Sequence, residues 1–304
     1  MSATAEEDDT IMQLCASCGI AGVDDIKLKD CSACLLVKYC SAKCQRDHWK
    51  QHKKECKKRA AELHDEILFK QPESTHFGDC PICCLPLPLD PTKYTLMTCC
   101  SKRVCKACDL ANAKREYEGR LQEKCPFCRK PMPSTDEECI ELVMKRVGAD
   151  DPVAICEMGT VRYREEDYKS AFEYWSRAAA LGDVQAHYQL SVLYHYGRGV
   201  EKDEKKELHH LSEAAISGHP RARFNLGLLE VANGQYGRAA KHFIIAANLG
   251  YDEALEQIKR LFKAGYVSKE DFATALRGHQ AAVDATRSPQ REEAAEFYKY
   301  IGRN

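Results

Sequence analysis

The sequence predicts a mostly α-helical protein in which two small cysteine-rich modules precede a solenoid of helix pairs. Sixteen of the eighteen cysteines lie between Cys15 and Cys128, most of them in tight pairs. After Cys128 only Cys139 and Cys156 follow, while alanine and aromatic residues become frequent. A pattern of alanine pairs and glycines then recurs at intervals of 36 and 32 residues. A fixed period in this range is typical of stacked helix pairs.

The composition is that of an ordinary globular protein with nearly balanced charge. The 304 residues include 45 Lys and Arg against 46 Asp and Glu, and 44% are hydrophobic. This balance offers no argument for nucleic-acid binding, and no apolar run approaches the roughly 20 residues that a membrane-spanning helix needs. Because the chain opens on an acidic stretch rather than an apolar leader, we expect a reducing compartment, the cytoplasm or the nucleus.

Shifts in composition divide the chain into seven predicted segments. A polar stretch with a proline, residues 71–75, breaks a preceding helical pattern. The segments are an acidic tail (1–14), a first cysteine module (15–56), a helical linker (57–75), a second cysteine module (76–135), a connecting helix (136–151), helical repeats (152–285) and a C-terminal helix (286–304).

The cysteines and one histidine form two sets of eight metal ligands. Pairs of thiolates two residues apart can both reach one tetrahedral ion, so the spacing favours zinc and implies four structural ions. Disulfides are the competing interpretation, and the expected reducing compartment disfavours them. Cys84 is left over and is expected as a small buried residue. The first set is Cys15, Cys18, Cys31, Cys34, Cys40, Cys44, His52 and Cys56, and the second is Cys80, Cys83, Cys99, Cys100, Cys105, Cys108, Cys125 and Cys128.

The first set ends in a segment that should be helical. Residues 44–56 contain no glycine or proline. On a helix His52 and Cys56 lie one turn apart on the same face, so both can hold one ion. His48 lies one further turn back and is the alternative to His52. A segment this short buries too little apolar surface to fold without metal, a disulfide or a partner.

This first module resembles a MYND-type zinc finger in the order of all eight ligands and in Gln45, Trp49 and Lys53 around the last cysteines. The resemblance implies binding of short proline-containing peptides and a role in protein recruitment. Some members are lysine methyltransferases, but no motif of that catalytic domain stands out in this sequence. The resemblance also implies two interlocked sites, one formed by Cys15, Cys18, Cys40 and Cys44 and the other by Cys31, Cys34, His52 and Cys56.

Residues 80–129 resemble a RING finger, whose outer cysteine pairs they match. Lys102 stands where the family has a histidine ligand, and a protonated lysine cannot bind zinc. Cys99 is the natural replacement, and the alternative is an empty site held by packing. The resemblance implies one ion shared by Cys80, Cys83, Cys105 and Cys108, and the replacement predicts a second ion on Cys99, Cys100, Cys125 and Cys128.

The RING resemblance carries an expectation about function. RING fingers dock a ubiquitin-conjugating enzyme and position its thioester-linked ubiquitin for attack, with no covalent intermediate of their own. The family's docking surface is apolar, with a cation just past the last zinc ligand. The candidates here are Ile82, Leu110 and Pro126 for the surface and Arg129 for the cation, whose guanidinium presents five donors in one plane. The resemblance therefore implies a ubiquitin-conjugating enzyme as partner and no catalytic residue in the chain itself.

The second half resembles SEL-one-like repeats, which are relatives of the tetratricopeptide repeat. Alanine pairs precede Gly182, Gly218 and Gly250 at one offset, and these glycines are expected to end helices in left-handed caps. Such a solenoid presents an extended face for protein or peptide partners. A large apolar residue recurs three positions before each alanine pair: Trp175, Leu211 and Phe243. The predicted helix pairs span about 152–181, 184–217, 220–249 and 252–284, with a final helix from Pro289.

Two functions from different classes remain open on the sequence. The chain is either an adaptor that acts as a RING-type ubiquitin-protein ligase, or a non-enzymatic scaffold or transcription-related recruitment protein. Nucleic-acid binding is disfavoured because the zinc ligands are interlocked rather than arranged to present a finger helix to the major groove. Protein or peptide partners are expected in both cases, so the sequence leaves open whether the chain is an enzyme.

Overall fold

The computed structural model describes residues 13–22 and 26–302. Twelve α-helices and four short strands make up the regular structure of these residues, apart from one 3-10 turn. The chain divides into two compact units, Met1–Lys70 and Gln71–Asn304. Most of the predicted acidic tail lies outside the described residues. Within the described ranges, no helix has the length and apolar character needed to cross a membrane.

The first unit combines a small antiparallel ribbon with one long helix. Ser41 caps this helix, and its hydroxyl accepts a hydrogen bond from the amide of Cys44. The helix predicted over 44–56 is confirmed, and it continues into the predicted linker because no glycine or proline interrupts it before Pro72. The elements are β1 (Lys29–Asp30), β2 (Lys38–Tyr39) and α1 (Ala42–Leu68).

The second cysteine module is built on a hairpin followed by a helix. The two strands pair antiparallel, and the turn between them carries Cys99 and Cys100. Isolated bridges close the two loops that hold the outer cysteine pairs. A connecting helix, capped by the Thr135 hydroxyl, leads to the repeats. The elements are β3 (Tyr94–Met97), β4 (Lys102–Cys105), α2 (Lys106–Glu118) and α3 (Asp136–Val147).

The helix pairs and the final helix lie where the repeat pattern predicts them. Gly182, Gly218 and Gly250 follow the second helix of successive pairs with φ of +88°, +81° and +82°, which confirms the left-handed caps. The helices are α4 (Pro152–Arg164), α5 (Tyr168–Ala180), α6 (Val184–Tyr196), α7 (Glu204–Ile216), α8 (Pro220–Ala232), α9 (Tyr236–Asn248), α10 (Asp252–Lys263), α11 (Lys269–Ala285) and α12 (Pro289–Tyr300).

Two of the repeats pack a large ring against a glycine on the facing helix. Trp175 is 1% exposed, and a Cβ at Gly159 would lie 2.5 Å from its indole. Gly227 faces the buried ring of Phe243 in the same way, also at 2.5 Å. The repeat pattern located both rings. It did not identify the glycines that make room for them.

The second cysteine module packs against the repeats and the C-terminal helix. The His76 amide donates to the Gly218 carbonyl oxygen at 3.0 Å, next to a glycine cap of the repeats. On helix α12, the Arg291 guanidinium donates to the Leu85 carbonyl oxygen at 3.1 Å. Ala294, one turn further along, is 3% exposed and lies in the core of the module. The C-terminal helix therefore supports the module rather than extending the solenoid.

We expect Gly218→Ala to loosen this junction. A Cβ at Gly218 would lie 2.5 Å from the Ser74 carbonyl oxygen, so a backbone clash adds to the cost of the positive φ. Gly182→Ala is the matched control, because Gly182 has a similar φ and no described atom within 4 Å of its added Cβ. Amide hydrogen exchange at His76 should be faster by about tenfold in Gly218→Ala than in the control. Equal exchange rates in the two variants would contradict the contact between the second cysteine module and the repeats at Gly218.

Candidate metal centres

The first cysteine module contains two ligand groups that share helix α1. Cys15, Cys18, Cys40 and Cys44 form one group, and their sulfur atoms all lie within 4.8 Å of one another. The Cys40 sulfur lies 3.6 Å from that of Cys18 and 3.5 Å from that of Cys44. Helix α1 supplies Cys44 to this group from its first turn.

The second group of this module is fully buried. It consists of Cys31, Cys34, His52 and Cys56, again within 4.8 Å. The His52 Nε2 atom lies 3.2 Å from the Cys34 sulfur, and both His52 and Cys56 come from helix α1. Because α1 carries ligands of both groups, the position of this one helix sets the geometry of both sites.

His48 does not join this group. Its Nδ1 atom lies 3.1 Å from the Tyr39 hydroxyl, and its ring stacks on that of His52 at 5.7 Å. The alternative in which His48 replaces His52 is therefore not the one that the structure adopts. His48 instead packs beside the ligand and restricts its orientation.

In the second module, the first group surrounds the start of helix α2. Cys80, Cys83, Cys105 and Cys108 have their sulfur atoms within 4.8 Å of one another. Cys105 is the N-cap of α2, and Cys108 lies in its first turn. The positive end of a helix dipole favours thiolates at this place. The Arg291 guanidinium also donates to the Cys83 sulfur at 3.3 Å.

The remaining group is made of cysteine alone. It consists of Cys99, Cys100, Cys125 and Cys128, with 3.3 Å between the sulfurs of Cys99 and Cys128. The two adjacent cysteines both point into the site because the hairpin turn bends sharply, with Ser101 at φ +56°. Lys102 begins strand β4 and is exposed. The structure thus places Cys99, and not Lys102, in this group of four.

The thiol pKa values show why these groups suit a divalent cation. Hydrogen bonding to Cys44 raises the pKa of Cys40 to about 12, and burial raises those of Cys56 and Cys108 to about 12. In the same group as Cys108, a hydrogen bond from Cys105 lowers the pKa of Cys80 to about 4. Crowded thiols therefore cannot all ionise by themselves, whereas a zinc ion stabilises four thiolates at once. The four groups fit zinc.

Both modules interlock their sites in the same order. In each, the first and third ligand pairs form one group and the second and fourth pairs form the other. Along the chain, the ligand pairs of one site therefore alternate with those of the other. This arrangement gives each module two closed structural sites, with no open coordination position for a substrate.

The expected docking surface of the second module is only partly exposed. Ile82 is 42% exposed and Pro126 is half-buried. Leu110 is 8% exposed and packs in the module core with Ala294 of helix α12, so it is not available to a partner. Phe127 was not identified from the sequence, yet it is 44% exposed at the position that corresponds to Ile82 in the other Cys-Pro-x-Cys loop.

Arg129 is not a free cation. Its guanidinium donates at 2.7 Å to the Glu116 carboxylate and at 2.7 Å to the Asn112 side-chain oxygen. Glu116 is 2% exposed and also accepts from the Lys124 amide. Burial opposes the ionisation of Glu116, but these donors outweigh it and hold its pKa below the usual value. No feature of the sequence distinguishes Glu116 from the other glutamates.

Cys84 lies outside the four groups. It is exposed rather than buried and has φ of +55°, because it occupies the sharp turn of the loop that presents Cys80 and Cys83. The expectation of a small buried residue at this position is wrong. The turn directs its side chain away from the metal ligands.

The four tetrads define a zinc-binding protein. The model of the MYND finger family matches residues 15–56, and the model of the Sel1 repeat matches residues 146–183, 184–219 and 220–251. The chain therefore contains a MYND finger followed, beyond the second cysteine module, by three Sel1 repeats. Both families are protein-interaction modules, which supports a zinc-binding adaptor.

Individual relatives match these modules over short stretches. SET domain-containing protein 14 of Caenorhabditis elegans is 54% identical over 41 residues, covering 14% of this chain and 9% of that protein. Putative beta-lactamase HcpC of Helicobacter pylori (strain J99) is 38% identical over 56 residues, covering 18% of this chain and 19% of that protein. The chain thus spans less than a fifth of either relative.

Solved structures give only a distant match. A Sel1 repeat protein from Oxalobacter formigenes superposes with a TM-score of 0.43 and 21% sequence identity. The superposition covers 57% of this chain and 51% of that chain.

Proposed function

We propose that this adaptor is a RING-type ubiquitin-protein ligase that works in the cytoplasm or the nucleus. The second module docks a ubiquitin-conjugating enzyme, and the MYND finger and Sel1 repeats recruit the protein to be modified. The MYND finger contributes recognition of short proline-containing peptides. The observation that carries the proposal is the interlocked pair of tetrads around one hairpin and one helix, as in RING fingers.

Two exposed apolar side chains support the docking role. Ile82 and Phe127 occupy equivalent places in the Cys-Pro-x-Cys loops of the two tetrads, and each exposes more than two fifths of its surface. Exposed apolar residues held on metal-braced loops are preorganised and lose little entropy when a partner covers them. They are therefore suitable anchors for a small interface.

The contribution to catalysis is positional. The closed tetrads have no open metal position, and ubiquitin transfer needs only that the thioester and the attacking amine be held together. A direct role for Arg129 in transfer would require its guanidinium to leave the buried Glu116 carboxylate, which is costly. We therefore assign Arg129 to positioning the second loop rather than to contact with ubiquitin.

We expect Ile82→Ala to slow lysine-induced discharge of ubiquitin from a charged conjugating enzyme by roughly 5- to 30-fold, the effect of losing an apolar anchor worth about 1–2 kcal/mol. Ile140→Ala is the matched control, because Ile140 is 46% exposed on helix α3. Its discharge rate should equal that of the unsubstituted chain. Zinc content and thermal unfolding of both variants establish that the tetrads remain intact.

The scaffold function is the alternative, and the same assay separates the two. A zinc-loaded chain that accelerates discharge with none of a broad panel of conjugating enzymes would refute the ligase and leave a non-enzymatic scaffold or transcription-related recruitment protein. If the chain accelerates discharge but Ile82→Ala and Ile140→Ala behave alike, the ligase function is retained and the assignment of Ile82 as a docking residue is wrong.

A further inference from the structure

A cleft of about 610 Å³ lies where the second cysteine module meets the repeats. We call it the junction cleft. The hairpin of the module forms one wall, and the first helices of the successive repeat pairs form the other. Its lining includes Phe77, Tyr94 and Arg103 from the module and Arg164, Tyr188 and Arg221 from the repeats. Residues from both walls line the cleft, so neither the second cysteine module nor the repeats would contain it alone.

Three helix N-termini line the junction cleft. Gln185, Arg221 and Glu253 are each the second residue of a helix, α6, α8 and α10 respectively, and all three line the cleft. The first turn of a helix carries a partial positive charge from its unpaired amide groups. Asp183 caps α6 with a carboxylate, and α10 carries Asp252 and Glu253 in its first turn. The end of α8, capped by the neutral His219 ring, is therefore the one that most favours an anionic occupant.

The charged side chains of the lining have the same bias. The lining contains three arginines, Arg103, Arg164 and Arg221, and two glutamates, Glu157 and Glu253. Arg103 is largely buried, lies 5.1 Å from the centre of the Phe77 ring and approaches Glu157 at 4.0 Å. Burial raises the pKa of Glu157, which disfavours its negative charge. The guanidiniums of Arg164 and Arg221 are exposed to a ligand.

His76 supplies an independent sign of a ligand. Both nitrogens of its imidazole are buried, and neither makes a hydrogen bond of ordinary geometry within residues 13–22 and 26–302, although the Gln185 side chain is near enough to offset slightly the lowering of the ring's pKa by burial. Burial, and then the charge of Arg103, lowers the pKa of His76 to about 4, so the ring is neutral near pH 7. A neutral imidazole offers one donor and one acceptor. Leaving both unpaired costs free energy that a bound polar group would recover.

The ring of His76 is also held in place. It stacks on His219 with 4.3 Å between ring centres, and His219 stacks on Tyr188 at 4.4 Å. His219 is fixed in turn, because its Nδ1 atom accepts from the Ala222 amide and its Nε2 atom donates to Gln185. The imidazole is thus a rigid part of the cleft wall rather than a mobile side chain.

We propose that the junction cleft binds an acidic segment of a partner protein. Side-chain carboxylates would pair with the exposed guanidiniums and the N-terminus of α8, and the peptide backbone or a side-chain amide would pair with His76. A nucleic acid fits less well, because a continuous phosphate backbone would meet the exposed carboxylate of Glu253, whereas spaced carboxylates can avoid it. The site does not depend on ubiquitin transfer, since Ile82 lies outside its lining.

The test is a fluorescence-anisotropy titration of the full, zinc-loaded chain with two labelled peptides of equal length. One alternates Glu with Gly and Ser, and the other carries Gln at every Glu position. We expect the acidic peptide to bind about tenfold more tightly or better at low salt, and the difference to shrink at high salt. Equal binding of the two peptides would overturn the proposal. So would displacement of the acidic peptide by a single-stranded RNA of equal charge that binds more tightly.

Substitutions then locate the site. Arg164→Ala and Arg221→Ala should each weaken binding of the acidic peptide by roughly two- to fivefold, as expected for exposed ion pairs. Arg162→Ala is the matched control, because Arg162 lies on the same helix as Arg164 but pairs with Glu165 outside the cleft lining. If all three substitutions act alike, the peptide binds elsewhere and the proposal is wrong.

A further variant tests His76 without removing the ring stack. His76→Phe keeps a flat ring but removes both nitrogens, so the free chain should be at least as stable in thermal unfolding. Affinity for the acidic peptide should nevertheless fall. An unchanged affinity in a stable His76→Phe variant would show that His76 does not pair with the ligand and would remove the second support of the proposal.

Discussion

Chelating zinc is expected to unfold both cysteine modules while helices α4–α11 keep their helicity. Strands β1 and β2 have only two residues each, so the tetrads replace a hydrophobic core in the first module. Structural zinc contributes roughly 10–16 kcal/mol of apparent binding free energy to small modules of this kind. The repeats draw their stability from neighbouring helix pairs instead. Hydrogen exchange should show lost protection in residues 15–56 and 80–128.

Helix α12 should follow the second module rather than the repeats. Ala294 packs in the core of that module, and Arg291 donates to its loop. Loss of protection in α12 together with the module would confirm that assignment. Retained protection in both modules after complete removal of zinc would contradict a metal-dependent fold.

Substituting two neighbouring cysteines one at a time tests how many zinc ions the chain binds. Elemental analysis of the unsubstituted chain should return four zinc ions. Cys83→Ser should lower the count by one, whereas Cys84→Ser should leave it unchanged because Cys84 is exposed and outside the tetrads. A count of two or fewer would refute the assignment. A count of three would identify the Cys99 tetrad as unfilled.

Trp175→Ala is expected to lower the free energy of unfolding of the repeats by roughly 3–5 kcal/mol, the cost of deleting a large buried ring and leaving a cavity. The side chain is 1% exposed, and its indole nitrogen donates to the Cys156 carbonyl oxygen at 3.0 Å. Because Gly159 lies against the indole, the backbone cannot collapse far into the space. Urea unfolding followed by circular dichroism measures the change.

Trp49→Ala is the control for this substitution. Trp49 is 41% exposed and belongs to the first unit, so the unfolding of the repeats should change by less than about 0.5 kcal/mol. Trp175→Leu combined with Gly159→Ser should recover part of the loss, since the next repeat holds Leu211 and Ser191 at these positions. A loss below about 1 kcal/mol in Trp175→Ala would contradict tight packing at this site.

Much of the architecture follows from local patterns. The spacing of the cysteine pairs indicated four tetrads, and the structure brings those ligands together because two cysteines in one tight turn must point at one ion. The alanine pairs and glycines located the helix pairs, since a helix end and a close helix contact each need a small residue at a defined place. Cys99 could be assigned from the sequence because it is the neighbour of Cys100.

Side-chain roles that depend on distant segments could not be assigned in this way. Leu110 was expected on the surface, but helix α12 covers it. Arg129 was expected as the cation of the docking surface, but its guanidinium pairs with Glu116, a buried carboxylate that also accepts from the Lys124 amide. Phe127 was missed because its exposure depends on how the second loop is held.

The sequence by itself predicted the order of the modules, the candidate metal ligands and the spans of the repeat helix pairs, because these depend on residues close together in the chain. Only the tertiary structure decided which faces remain available to partners. The junction cleft combines the second module with four repeat pairs, and Arg291 joins helix α12 to a loop about 200 positions earlier. Such contacts arise when preformed elements pack, and their energy depends on shape and burial that no local pattern encodes.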